Sequence, residues 1–216
     1  MQPDERKEFY SKIASRYDRV AVGKVGYVAH ERVPSRLLKL VSRVDKLRVL
    51  DLGCGTGLTS VPFFERGFTV VGIDYAPGMI EIARQRPFTQ LFCQSIEEEF
   101  PVDDNQFDIV TAIGVTEFIK DPHKLLIRIL EKMTDGGVVA MTAAKPNGVA
   151  ESMGVCVFDK NEFLSKVDQE VFEILEIDEF FGWESGHLSS DEENPVAEHH
   201  RFDYFVVFLR KRKSTN

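Results

Sequence analysis

The run Val49-Leu50-Asp51-Leu52-Gly53-Cys54-Gly55-Thr56-Gly57 limits what this chain can fold into more than any other segment. An apolar stretch ends in a carboxylate and passes at once into glycines at alternate positions. Glycine has no Cβ, so the backbone can turn sharply there and a ligand can come close to it. Twenty-three residues after Asp51 a second apolar run, Thr69-Val70-Val71-Gly72-Ile73, ends in Asp74. A carboxylate at the tip of this next strand suits a ribose, because both ribose hydroxyls can donate to it. Two strand ends of this kind describe a nucleoside site.

The first acid helps decide which nucleoside. A dinucleotide sets its pyrophosphate at a helix N-terminus, behind a G-x-G-x-x-G turn. Here the spacing is G-x-G-x-G, one residue tighter, and Asp51 stands two residues before the first glycine, where it repels a pyrophosphate. A ligand with an ammonium and a sulfonium, and no phosphate, meets the opposite field. S-adenosylmethionine is such a ligand. With Asp51, the glycine triplet and Asp74 in strand context, the chain resembles the class I S-adenosylmethionine-dependent methyltransferases, whose first motif is close to D-x-G-x-G-x-G. The other reading of these residues is a glycine turn with two capping or surface acids.

At 216 residues and 43% hydrophobic content the chain suits one domain with a well-buried core. No run approaches the roughly 18 apolar residues of a membrane span. The charged start, Met1 to Glu8, lacks the apolar centre of a secretory signal. Cys54, Cys93 and Cys156 have no metal-type spacing and fit a reducing compartment, so a cytoplasmic protein is expected. The net charge of -8 argues against a nucleic-acid surface. The basic run Arg210-Lys211-Arg212-Lys213 reads as a solvated tail. A small-molecule acceptor is therefore expected, with neither nucleic acid nor membrane as partner, in a monomer or homodimer.

After residue 45 strands and helices alternate, which predicts a doubly wound, mostly parallel sheet. Strands are expected near 47–51, 69–73, 88–92, 107–113 and 136–142, with an edge pair near 171–178 and 203–210. Helices are expected near 57–66, 77–85, 122–133 and 159–167, the third capped by Asp121 with Pro122 behind it and stopped at Asp135-Gly136-Gly137. The fourth has Asp159 as its cap. Residues 1–45 carry two amphipathic stripes, Phe9, Ile13 and Tyr17, then Leu37, Leu38 and Val41. They form an expected helical lid on the same domain, whose remainder, 46–216, holds the cofactor. The expected whole is a Rossmann-like seven-stranded sheet with an antiparallel edge strand. Residues 182–201, polar and rich in turn formers, read as a long loop between the last two strands.

Ligands of such sheets bind beyond the carboxyl ends of the strands. Gly53, Gly55 and Gly57 are expected under the methionine part of the cofactor, with Asp51 orienting its amino group through a water or a backbone amide if not directly. Asp74 takes the ribose, and Tyr75 or Met79 faces the adenine. At the third strand end the family commonly has an Asp that accepts from the adenine amino group, whereas this chain has Ser95 and Ile96. Gly114 and Val115, after the fourth strand, are expected to back the methionine chain, and Glu117 faces substrate or starts a helix. The segment Phe9 to Asp18 resembles one that closes over the cofactor in small-molecule methyltransferases, which implies Tyr10 and Tyr17 at the methyl-transfer path; both also suit a core helix face. Transfer from a sulfonium is an in-line displacement in which alignment supplies much of the rate. If a base is used, His187, His199 or His200 in the late loop are candidates. No acid follows the fifth strand, so no metal is expected.

Three other functions share these residues: a non-catalytic S-adenosylmethionine-binding module, transfer of another group from the same cofactor, and an NAD-dependent oxidoreductase, which Asp51 and the tight glycine spacing disfavour.

Overall fold

The structure, a computed structural model, describes residues 3–41, 45–147, 149–152, 154–183, 187–188, 196–197 and 202–213. Strands buried on both faces read as near-continuous apolar runs, and such runs build the middle of the sheet. They are β1 (Arg48–Leu52), β2 (Thr69–Asp74), and, after the half-exposed β3 (Gln90–Cys93), β4 (Phe107–Ala112) and β5 (Met133–Ala144). Later come β6 (Phe172–Trp183), the two-residue strands β7 (His187–Leu188) and β8 (Val196–Ala197), and β9 (Phe202–Lys211). The main sheet has seven strands in the order β3-β2-β1-β4-β5-β9-β6. All neighbours from β3 to β5 are parallel, whereas β9 runs antiparallel to both β5 and β6. The antiparallel strand thus belongs to the edge pair, with β6 outermost.

From β1 the chain moves outward through β2 and β3, then returns to lay β4 on the other side of β1. That reversal opens a crevice beyond the ends of β1 and β4, where ligands of such sheets bind. Successive strand side chains alternate between faces, so Val49, Val70, Val206 and Phe208 enter one core while Leu50, Val71, Val207 and Leu209 enter the other. The first core also takes the N-terminal segment, through Ile13, Val20, Val33 and Leu37. The second takes Leu125, Leu126 and Ile129 of one helix and Phe163 of another. Each such side chain, fully buried, contributes about 1.5–3 kcal/mol.

The helices are α1 (Pro3–Ile13), α2 (Tyr17–Gly23) after a 3-10 turn at Ala14–Arg16, α3 (Ala29–Leu40), α4 (Val61–Phe64), α5 (Pro77–Ala83), α6 (Pro122–Lys132), α7 (Val149–Ser152) and α8 (Lys160–Ser165). The caps form as expected: Asp121 Oδ1 accepts from Lys124 N at 3.0 Å, and Asp159 Oδ1 from Glu162 N at 2.9 Å. Three expectations change. The helix expected over 57–66 is the single turn α4, because Gly57 is left-handed (φ +85°) and the chain must still curl for Ser60 to reach back under β1. The α6 helix stops at Lys132, since Met133 is already extended (ψ 142°), so Asp135-Gly136-Gly137 lies within β5 opposite a register shift in β4. The stretch expected as one loop over 182–201 begins with the end of β6 and contains the β7–β8 pair, His187 opposite Ala197.

The N-terminal helices grip the sheet at two places. A Cβ at Gly78 of α5 would lie 2.4 Å from the carbonyl oxygen of Ser11, so only glycine lets α1 touch α5 backbone to backbone. At the far edge, Arg32 of α3 clasps Asp178 of β6 through two bonds of 2.8 and 3.0 Å, and Arg36 reaches Glu176 at 2.6 Å. These pairs are partly exposed, so solvent screens them and they add little to stability. Their main effect is to tie α3, packed on one face of the sheet, to the outermost strand.

Candidate functional site

Beyond the ends of β1, β2 and β4 lies a cavity of about 460 Å³, within the roughly 300–1,000 Å³ of small-molecule sites. Its floor is the glycine loop. Gly53 and Cys54 donate their N–H groups to Ile73 O at 2.8 and 3.0 Å, which folds the loop back over β2. Gly53 has φ +67°, and a Cβ there would lie 2.7 Å from Val115 Cγ2. The approach of the β4 exit loop therefore demands glycine at this position. At Gly55 an added Cβ would meet nothing within 4 Å. It would enter the space left for a ligand.

Asp74, at the tip of β2, holds this floor to the next helix. Its Oδ2 accepts from Gly55 N at 2.9 Å and its Oδ1 from Ala76 N at 2.8 Å. A carboxylate has about four lone-pair positions, so its backbone donors leave room for a ligand hydroxyl. Burial pushes the Asp74 pKa upward, opposed by the hydrogen bonds to its backbone donors. Beside it stand Tyr75 and Met79, and the β3 exit adds Ser95, Ile96 and Glu97. Ser95 Oγ accepts from Glu97 N at 3.2 Å. The opposite wall is Gly114 and Val115, where Gly114 N donates to Thr142 Oγ1 at 2.9 Å and fixes the β4 exit to β5.

Tyr10, Tyr17 and Tyr27 come from the N-terminal segment and close the cavity. Burial holds all three phenols well above the ordinary tyrosine range, so they are neutral hydroxyl donors. Asp18 ties this cover down. Thr56 Oγ1 of the glycine loop donates to Asp18 Oδ1 at 2.6 Å, and Arg86 Nη2 donates to Asp18 Oδ2 at 2.7 Å. Arg86 also donates to Thr56 O. Asp18→Ala is expected to lower affinity for a ligand of the cavity by roughly tenfold, because the cover loses charge-assisted bonds. Hydrogen exchange of residues 3–23 should accelerate in the same variant; unchanged exchange and affinity would show that the clasp restrains nothing.

Of the residues predicted from sequence, Tyr10, Tyr17, Gly53, Gly55, Asp74, Tyr75, Met79, Ser95, Ile96, Gly114 and Val115 meet around this one cavity. Asp51 and Gly57 are not among its lining. Asp51, 1% exposed, lies beneath the loop and accepts from Ser60 Oγ and Thr111 Oγ1, each at 2.7 Å. It anchors the loop from behind. Gly57 makes room for Phe88, whose Cε2 would lie 2.5 Å from a Cβ there. His187 falls in β7 and its side chain, like His199 and His200, lies outside the described residues. Tyr27, Arg6 and Cys156 also line the cavity and were not singled out in the sequence. Tyr27 follows the left-handed Gly26, and that glycine is the one local signal of a chain reversal aimed at the site.

A family profile described as a methyltransferase domain matches residues 50–141, the span from β1 to β5 that carries the glycine loop, Asp74 and the β4 exit. Residues 50–141 thus resemble a methyltransferase domain. The malonyl-[acyl-carrier protein] O-methyltransferase of Serratia marcescens is 31% identical over 64% of this chain and 55% of its own length. The demethylmenaquinone methyltransferase of Renibacterium salmoninarum is 31% identical over 63% of this chain and 57% of its own. The chain thus spans about half the length of the curated relatives it matches. Among solved structures, the [4+2]-cyclase SpnF superposes with a TM-score of 0.70 at 17% identity, covering 96% of this chain and 95% of its own. A possible histamine N-methyltransferase from Thermotoga maritima has a TM-score of 0.62 at 19% identity, covering 95% and 99%. At these identities the likeness concerns the fold.

The cofactor of that family is S-adenosylmethionine, and the cavity fits it chemically. Asp74 offers paired acceptors for a ribose, Gly55 leaves open space, and no cluster of cations waits for a phosphate on the glycine loop. Among the described residues no group of three or more His, Cys, Asp or Glu side chains is placed to hold a metal, and no helix is long and apolar enough to cross a membrane.

Proposed function

We propose that this protein moves the methyl group of S-adenosylmethionine to an oxygen or nitrogen of a small-molecule acceptor by in-line displacement. The observation that carries the reading is the continuity of one cavity from Asp74 and the glycine loop to an aromatic chamber under the N-terminal cover. When bound, the cofactor supplies an activated methyl group. The chain's own residues do the rest. Asp74 and the Gly53–Gly55 turn fix one end of the ligand, and Gly114 and Val115 bound its side. Tyr10 and Tyr17 shield the chamber from water and set the direction from which an acceptor enters. Holding two reactants in line is itself a large part of the rate.

The acidic balance of the chain and the size of the cavity favour a small acceptor over nucleic acid. We also place the protein in the cytoplasm, as a monomer or homodimer, with residues 1–45 acting as the lid of a single domain. A second reading, binding of the cofactor without methyl transfer, draws on the chamber itself: among the described residues no histidine lines it. Calorimetric titration with S-adenosylmethionine, S-adenosylhomocysteine and NAD tests the cofactor. Micromolar binding of the two sulfur nucleosides and none of NAD is expected; binding of NAD alone would overturn the proposal. Turnover to S-adenosylhomocysteine over an acceptor panel then separates the enzyme from the binding module.

A further inference from the structure

We infer that Glu117 anchors the acceptor, its Oε2 receiving a hydrogen bond from the hydroxyl or neutral amine that is to be methylated, so that the acceptor class is protic rather than carboxylate or hydrocarbon. This rests on the methyltransferase reading above and adds to it the group that selects the acceptor. Glu117 lies in the 3-10 turn Thr116–Phe118 just past β4, where it lines the cavity although it is only 6% exposed. One oxygen is accounted for: Tyr204 of β9 donates its hydroxyl to Oε1 at 3.0 Å. The other, Oε2, is buried without a hydrogen-bond partner among the described residues. A buried carboxylate oxygen left unpaired costs more than an ordinary missing bond, and on a residue that lines a binding chamber it calls for a donor from the ligand.

The turn is held so that this oxygen keeps its place. Cys156 N donates to Glu117 O at 2.7 Å, Phe118 N donates to Val115 O at 3.1 Å, and Thr116 Oγ1 donates to Thr142 O. Tyr10, Tyr17 and Tyr27 line the same cavity as Glu117, and the charge of Glu117 adds to the burial that raises their pKa values. Burial raises the affinity of Glu117 for a proton, while Tyr204 and Arg6 favour the charged form.

The chemistry follows from this placement. A hydroxyl or amine offers Oε2 the hydrogen it lacks and turns its lone pair away from the carboxylate. When that group is methylated, its O–H or N–H bond breaks and the proton goes to Oε2. The lone pair forms the bond to the methyl carbon, and the departing thioether keeps the electron pair of the old carbon–sulfur bond. Carboxylate and sulfonium charges are both lost, and the resulting carboxylic acid keeps its bond from Tyr204. A carboxylate acceptor brings a second negative charge against Oε2, and a donor-free acceptor leaves Oε2 unpaired.

The test uses protein saturated with S-adenosylhomocysteine, whose own binding is measured first by calorimetry. Binding of phenols and aromatic amines is then compared with that of their methyl ethers, dimethylamines and carboxylate counterparts. The protic compounds are expected to bind and the others to bind more weakly. Glu117→Gln should lose roughly ten- to a hundredfold in affinity for the protic compounds, the range for a hydrogen bond to a charged group. Its affinity for S-adenosylhomocysteine should not change. Glu117→Asp keeps the charge with a shorter reach and decides the matter if the Gln variant fails to fold; an intermediate loss is expected. Equal binding of carboxylate or donor-free compounds overturns the inference. So does unchanged affinity in the variants, or an empty panel on protein that binds S-adenosylhomocysteine. Failure to bind S-adenosylhomocysteine removes the cofactor reading itself, and this inference with it.

Discussion

Asp74→Ala is expected to weaken S-adenosylmethionine binding by roughly a hundredfold or more, the combined loss of two hydrogen bonds to a charged group. The effect has two sources. The ribose loses its acceptors, and Gly55 N and Ala76 N lose the partners that set the glycine loop against the start of α5. Those N–H groups are then left unpaired at a site that was only 8% exposed, at a cost of about 1–3 kcal/mol each where water does not reach them. Asp74→Asn separates the two sources. An amide keeps one acceptor oxygen and so preserves one backbone bond, but it cannot serve both N–H groups and both hydroxyls. Calorimetry with S-adenosylhomocysteine, beside thermal melts of the unliganded variants, reads both quantities. Undiminished affinity in Asp74→Ala would remove the ribose from this strand end.

The fold and the cofactor end of the site were legible because both are written in short-range patterns. Runs such as Val70 to Ile73 carry no polar side chain, which suits a strand covered on two faces, and the glycines and acids that follow sit beside their strands in sequence. What was not legible depends on pairs distant in sequence. Asp51 has the same chemistry as Asp74, yet its partner Thr111 lies 60 residues away on β4, and that contact turns it beneath the loop rather than into the cavity. Nothing near Glu117 distinguishes a helix-start acid from a chamber wall; Tyr204, 87 residues on, does. The shortness of α4 has a partly similar origin, for Gly57 is left-handed and Ser60 is committed to Asp51 of β1. The fixed half of such a domain is encoded locally, and the half that selects an acceptor is assembled from distant segments.

Asp51→Asn should have the opposite signature to Asp74→Ala: nearly intact cofactor affinity and a stability that depends on pH relative to the parent protein. Burial pushes the Asp51 pKa from 3.8 up to about 6, while the bonds from Ser60 and Thr111 pull it down. The native state therefore holds a proton on this group more tightly than the unfolded chain does. Its stabilising contribution is complete below the unfolded value, falls as pH rises from about 4 to about 6, and is absent above that. Each pKa unit corresponds to about 1.4 kcal/mol, so the charged, buried Asp51 costs up to about 3 kcal/mol at neutral pH. Asparagine does not titrate, and its amide oxygen still accepts from one hydroxyl while the other hydroxyl rotates to accept from the amide nitrogen. The difference in stability between variant and parent should move towards the variant by up to about 3 kcal/mol between pH 4 and 7.5. Denaturant titrations at a series of pH values measure it, and other carboxylates cancel because both proteins share them. A difference independent of pH would mean that Asp51 titrates alike in both states. Loss of cofactor binding as deep as in Asp74→Ala would place Asp51 in the cavity wall. A strand-end acid that anchors the loop from beneath has a role independent of ligand contact: one side chain receives both Ser60 and Thr111 and so ties the glycine loop to β4.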